Sequence, residues 1–327
     1  CTPVEGNPSD LMNVSGQSAL TFDGNLIRSM RASLEYVRRA RPVYSQMLDG
    51  AWAVSRDAGA TVLGLPTIWN VSIAEALGVP CIGAFLQPLP PTGDFPSPLI
   101  PSPYSLGRRY NRLSYYLAGL ALWIPWRGVI NRWRQEALGL KPFPLSGPAP
   151  KPFGNFDLIS HAFSDLIVPR PYDWARNVIT TGYWQLQAEE YDPPRALNDF
   201  LSAGKAPFYI GFGSPGLSNS DETVNLLLKA ITATGLRAVL ATPQGLSLRE
   251  SSHNVFFLKD SVPHDWLFPR MAGAVHHGGA GTTAAALLAG IPSLVVPRSV
   301  DQFFWGQRVS TVGAGPQPIP QARLTVE

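Results

Sequence analysis

The chain has 327 residues, which fits two domains of ordinary size better than one core. Hydrophobic residues make up 45% and charged residues 15%, enough apolar material for two cores and too little charge for a disordered chain. The formal charge of +3 comes from 26 basic and 23 acidic residues interspersed along the sequence, so no basic tract offers a footprint for nucleic acid. Two cysteines, Cys1 and Cys81, exclude a disulfide framework or a thiolate metal site, and a reducing cytoplasm is the expected compartment.

Taken in chain order, an apolar run (Ala60 to Leu65), a helical pattern (Ser72 to Leu77) and a second apolar run (Pro80 to Phe85) predict a strand–helix–strand unit of a parallel sheet. Asn70 is the expected N-cap of that helix and Gly78 its stop. Proline clusters punctuate the chain at Gln87 to Pro103 and Pro142 to Pro152. Between them Leu106 to Leu140 is helical in pattern, with aromatic residues on one side and arginines towards its ends. Its most apolar part, Leu113 to Trp126, is shorter than the roughly 20 residues a bilayer requires. Phe156 to Ser160 and Val178 to Thr181 read as further buried strands, followed by a linker near Glu189 to Ala196.

From Pro207 the alternation restarts. Strands are expected at Phe208 to Phe212, Arg237 to Ala241, Val255 to Leu258, Gly273 to His276 and Ser293 to Val296. Helices are expected at Glu222 to Ala233, Thr282 to Ala289 and Gln302 to Val309. Two such runs predict two doubly wound α/β domains, 1–190 and 191–327, with ligands beyond the carboxyl ends of the strands in the cleft between them.

The segment that carries chemistry is Ala274-Val275-His276-His277-Gly278-Gly279-Ala280-Gly281-Thr282-Thr283. A strand runs into a glycine-rich turn that opens a helix, whose first amides are unpaired and sit at the positive end of the dipole. Glycines let phosphate oxygens approach, and His277, Thr282 and Thr283 add side-chain donors. Asp301-Gln302 follows at the carboxyl end of the next strand, and this pair suits vicinal sugar hydroxyls. A phosphate cradle beside a hydroxyl reader describes a nucleotide-sugar site.

His276 to Val309, with the wording HHGGAGTTAAALLAG and DQFFWGQRV, resembles the signature segment of the family-one glycosyltransferases of GT-B fold, closest to sterol glucosyltransferases and their bacterial natural-product relatives. The resemblance implies two Rossmann-like domains facing across a cleft. It also implies that His277 contacts a diphosphate, that Gly278, Gly279, Gly281 and Thr282 hold it, and that Asp301 and Gln302 bind the donor sugar. His276 is expected to be structural. Gly213 and Ser214, after the strand Ile210-Gly211-Phe212, resemble the loop under the phosphates, and Val262 in Ser261-Val262-Pro263 resembles the loop whose backbone receives the base. Arg298-Ser299-Val300 departs from the family's aromatic pair and glycine, and Arg298 is read as a surface residue.

The implied activity is inverting transfer of a hexose, glucose first, from a UDP-sugar to a hydroxyl of a lipophilic acceptor such as a sterol. No cofactor or metal is expected, the nucleotide sugar being a co-substrate. Alternatives are a natural-product glycosyltransferase using a UDP- or TDP-sugar, a sugar-nucleotide epimerase, and a donor-binding pseudoenzyme. Phe85, Phe95, Trp123 and Trp126 are the candidate acceptor surface, with a peripheral membrane contact nearby. The family's catalytic base lies on an early strand-turn that the sequence does not show, so no base is named. His161, His253 and His264 are not convincing substitutes, and the first strands and the C-terminal end are expected to be missing.

Overall fold

A computed structural model describes residues 26–100, 106–148, 155–186, 190–212, 221–241, 251–298 and 300–325. The chain divides into two compact units, Cys1–Tyr183 and Trp184–Glu327.

In the first unit four strands, β1 (Thr61–Leu63), β2 (Cys81–Phe85), β3 (Leu158–His161) and β4 (Val178–Thr180), form a parallel sheet in the order β1-β2-β3-β4. Among the described residues three α-helices accompany them: α1 (Leu26–Val54), α2 (Val71–Leu77) and α3 (Arg108–Leu138). Gly78 ends α2 at φ 66°, with its N–H donated to the Ala74 carbonyl, as glycine's tolerance of the left-handed region allows. Asn70 occupies the N-cap position of α2, as expected. It is the last residue of a 3-10 turn, Leu65–Asn70, already in right-handed helical conformation and without a side-chain cap bond.

The long helix α3 runs unbroken past Pro125. Trp133 Nε1 donates to Asp49 Oδ1 at 2.9 Å and ties α3 to α1. Arg134, 2% exposed, donates to Ser72 Oγ at 2.7 Å and the Lys141 carbonyl, pairs with Glu75 at 2.9 Å and lies over the Phe143 ring. A guanidinium buried so deeply is tolerable because its donors are spread over this set of acceptors.

In the second unit the helices are α4 (Arg195–Ser202), α5 (Asp221–Thr234), α6 (His264–Leu267), α7 (Ala280–Leu288) and α8 (Gln302–Thr311). The strands β5 (Phe208–Gly211), β6 (Ala238–Ala241), β7 (Val255–Leu258), β8 (Gly273–His276) and β9 (Ser293–Val295) form a parallel sheet in the order β7-β6-β5-β8-β9. Alternate strand residues feed two cores: Tyr209, Val239 and Ala274 pack with Leu267 and Phe268, whereas Ile210, Ala238 and Leu240 pack with Val224 and Ile231. Two sandwiched faces explain the near-continuous apolar strands. Helix α4 begins where the sequence reads as linker, because Leu197 and Phe200 are its only deeply buried anchors.

Candidate active site

The strand order makes β5 and β8 central neighbours from which the chain winds outward in both directions, the switch point at which doubly wound sheets bind ligands. Gly211 is in register with His276, and His276 with Val295. The turns leaving β5, β8 and β9 therefore emerge side by side at the carboxyl edge.

His276 is fully buried and its Nδ1 accepts the Gly278 N–H at 3.1 Å. That acceptor role places the ring proton on Nε2, which has no partner among the described residues. Burial first, then the neighbouring His277 and His264, push its pKa down to about 3. His276 is thus a neutral structural acceptor. Gly278 has φ 88°, and a Cβ there would lie 2.6 Å from Val295 Cγ1 and 2.9 Å from the Gln302 carbonyl oxygen. Only glycine fits that wedge. A Cβ on Gly279 would lie 2.5 Å from His277 Nε2, so the His277 ring covers the backbone where α7 begins.

Helix α7 starts at Gly279 with no side-chain cap and no acidic residue in its first turn. Its first α-helical bond runs from the Thr283 N–H to the Gly279 carbonyl at 2.9 Å, so the amides of Ala280, Gly281 and Thr282 precede it. Gly281 is exposed and open on its Cβ side, and Thr283 Oγ1 is buried without a partner among the described residues. The His277 ring thus lies beside the residue that precedes these leading amides. The His277 pKa is lowered by burial, against the Gly211 backbone and the Asp301 charge, so the imidazole is neutral near pH 7.

Asp301 and Gln302 differ in placement. Asp301 is half-buried, precedes α8, and its Oδ2 accepts Trp305 Nε1–H at 3.2 Å. Gln302 is 7% exposed and its Oε1 accepts the Arg298 N–H at 2.8 Å, so its side chain closes the loop that carries Asp301. Val300, directly before Asp301, has φ 43°, a strained conformation for a β-branched residue. Neither the strain nor the Trp305 anchor was read from the sequence. The i to i+4 spacing of Asp301 and Trp305 was the available signal for the anchor.

Val262 buries its side chain in the core beside Leu267 and Phe268. Gly213 and Ser214 lie outside the described residues. His264 stacks on Phe268 at 4.4 Å and meets Tyr209 edge-on at 5.5 Å, a packing role. Among the described residues no group of three or more His, Cys, Asp or Glu side chains could hold a metal ion.

The first unit holds a separate apolar cavity of about 190 Å³, walled by Trp69, Leu89, Leu99, Tyr115, Trp123 and Phe156 among others. Of the four candidate acceptor residues only Trp123 lines it, its ring 5.2 Å from Trp69 and its Nε1 donating to the Pro144 carbonyl. Phe85 sits behind the wall, 1% exposed and edge-on to Phe156. Trp126 packs on Tyr44 at 4.5 Å, between α3 and α1, and Phe95 is half-buried away from the cavity wall. His161 is fully buried between Phe163 and Trp174, each at 4.9 Å, and burial lowers its pKa to about 4. It is a core histidine.

Residues 230–325 match the model of the erythromycin biosynthesis protein CIII-like C-terminal domain. Over 272 residues, 82% of its length, the chain is 38% identical to sterol 3-beta-glucosyltransferase UGT80A2 of Arabidopsis thaliana, covering 42% of that protein. Over 331 residues, 96% of its length, it is 32% identical to the sterol 3-beta-glucosyltransferase of Aspergillus fumigatus, covering 22% of it. The chain thus spans less than half the length of these curated relatives. Among solved structures it is similar to the glycosyltransferase SnogD from Streptomyces nogalater, with TM-score 0.59, 17% identity, and coverage of 99% of this chain and 75% of that one. The spinosyn rhamnosyltransferase SpnG complexed with thymidine diphosphate gives TM-score 0.51 at 16% identity, covering 91% and 71%. Likeness at that identity shows the fold. The chain therefore shares the GT-B fold of these glycosyltransferases, and its residues 230–325 carry the match to the EryCIII-like C-terminal domain.

Proposed function

We propose that this protein transfers a hexose, glucose first, from a UDP-sugar to a hydroxyl of a lipophilic acceptor such as a sterol, with inversion. The observation that carries the donor half is the uncapped start of α7 beneath His277, with Asp301 at the same sheet edge. Three amides and the dipole offer a diphosphate its counter-field, so the reading invokes no metal. Asp301 would accept from sugar hydroxyls, and Gln302 would act mainly by holding Asp301 in place. The relatives named sterol 3-beta-glucosyltransferases favour a sterol, and the apolar cavity around Trp123 supports a flat apolar ligand.

A natural-product acceptor and a TDP-sugar form the second reading, favoured by the likeness to SnogD and to SpnG with thymidine diphosphate. A panel of UDP- and TDP-sugars against sterols, macrolide aglycones and simple sugars, using the full-length protein, separates them. Preference for simple sugars would overturn the lipophilic acceptor.

Peripheral contact with a membrane belongs to the same proposal. No helix among the described residues is long and apolar enough to cross one. The exposed face of α3 carries Leu113, Tyr116, Leu117 and Ile124, with exposed Arg109 and Arg127 towards its ends, about 27 Å apart at helical rise.

A further inference from the structure

Loop 86–100 contributes Leu89, Ser97 and Leu99 to the apolar cavity and contains five prolines. Within it the Ile100 N–H donates to the Ser97 carbonyl, the Asp94 N–H to the Thr92 hydroxyl and the Leu99 N–H to the Ser97 hydroxyl. The loop is held from outside. Asp173 Oδ1 accepts from the Thr92 hydroxyl at 2.7 Å, and Oδ2 accepts from the Gly93 N–H at 2.9 Å and from Arg112 Nη2 at 2.9 Å. From α3, Asn111 Nδ2 donates to the Gly93 carbonyl at 2.8 Å, and Ser114 Oγ accepts the Ser97 N–H at 2.7 Å. Trp174, stacked on His161, donates Nε1–H to the Pro90 carbonyl at 3.1 Å.

Thr92, Ser97, Asn111 and Ser114 are all at most 2% exposed, so this is a buried polar cluster whose members satisfy one another. Asp173 is its hub, 10% exposed, with three donors from the loop and α3 on its carboxylate. Burial pulls its pKa up, but the bonds from Thr92, Arg112 and Gly93 outweigh that and hold it below the usual carboxylate range. Tyr115, next to Ser114 on α3, itself lines the cavity.

We infer that Asp173 is a positioning residue for the ligand of the apolar cavity: its carboxylate fixes loop 86–100 so that Leu89 and Leu99 meet the ligand's ring surface. It touches no reacting atom. The inference rests on the reading of the cavity as the acceptor site.

The test compares Asp173→Ala, Asp173→Asn and Thr92→Val in the full-length protein, by amide hydrogen exchange of loop 86–100 and by steady-state kinetics with a sterol and UDP-glucose. Loss of a hydrogen bond to a charged group should speed exchange at Gly93 to Ser97 by about tenfold in Asp173→Ala and raise the acceptor KM by a similar factor. The kcat and the UDP-glucose KM should stay within about twofold, a split that general destabilisation would not give. Asp173→Asn, which keeps an acceptor but no charge for Arg112, should fall between, and Thr92→Val should move in the same direction should Asp173→Ala fail to fold. Unchanged exchange overturns the clamp. Faster exchange with an unchanged acceptor KM overturns the positioning role. A wild-type protein whose tryptophan fluorescence ignores sterols and other flat apolar ligands overturns the acceptor reading itself, and with it the role of Asp173, even where exchange confirms the clamp.

Discussion

His276 Nδ1 accepts the N–H of Gly278 at 3.1 Å, so a fully buried imidazole holds the turn on which the proposed donor site is built. The bond requires the unprotonated nitrogen. Its neighbour His277 then stands over Gly279, where it faces the first amides of α7.

Gly278→Ala should damage both fold and site. A methyl at 2.6 Å from Val295 and 2.9 Å from the Gln302 carbonyl must displace β9 or α8, and φ 88° adds strain. The expected cost is about 2–4 kcal/mol from overpacking and left-handed backbone together. Urea unfolding measures it, with calorimetry against UDP expected to show lost binding in whatever remains folded. Gly281→Ala, with open space around it, should be nearly neutral for stability.

Replacing His277 with Ala should weaken UDP by only about 0.5–1.5 kcal/mol near pH 7, the range of an uncharged hydrogen bond. Because burial holds the His277 pKa below its ordinary value, a bound diphosphate should raise it, and wild-type affinity should grow as pH falls below about 6.5. The Ala variant should lack that growth. A pH series of calorimetric titrations decides the point, and a flat wild-type profile would remove His277 from the phosphate.

Stability against pH follows from the two buried histidines. His276 and His161 have folded pKa values pushed down to about 3 and about 4, against about 6.5 unfolded. Between those limits the unfolded chain binds more protons, so stability is complete above about pH 6.5 and falls as pH drops towards 4. The urea midpoint should follow that slope, and His161→Phe, set between Phe163 and Trp174, should flatten it.

Asp301→Asn should leave UDP affinity within about twofold and lower turnover with UDP-glucose at least about tenfold, since a sugar-reading carboxylate acts on the hexose. Trp305→Phe removes only the Nε1 donor to Asp301 and should give a smaller loss of the same kind. If UDP itself bound much more weakly to Asp301→Asn, the carboxylate would stand at the wrong end of the donor.

The two α3 tryptophans should separate. Trp123→Ala empties a wall of the cavity and should raise the acceptor KM, whereas Trp126→Ala, packed on Tyr44, should cost stability and leave acceptor KM near wild type.

The second unit was more legible in sequence than the first, for physical reasons. Among the described residues between 207 and 311 each strand is a short apolar run buried on both faces, so pattern and fold coincide. The same simplicity made the candidate site legible, because Gly278 marks backbone that a side chain would obstruct. Helix α1 was not foreseen: Leu26–Val54 carries scattered arginines and Pro42, and its stability comes from packing on α3 through contacts such as Tyr44 with Trp126. The cavity was only half visible, since an aromatic side chain in sequence does not reveal whether it lines a space, as Trp123 does, or fills a core, as Phe85 does. The bond from the Arg298 N–H to Gln302 Oε1 was not foreseen, because it depends on backbone placement that local pattern does not encode.

The central claim is that the start of α7 receives the donor's diphosphate. It is tested most directly by titrating UDP into ¹⁵N-labelled protein and following backbone amide shifts. Saturable shifts concentrated at His277 and Ala280 to Thr283, lost in Gly278→Ala and accompanied by slower exchange of the three leading amides, are the predicted result. Saturable UDP binding that leaves those amides unmoved would contradict the account.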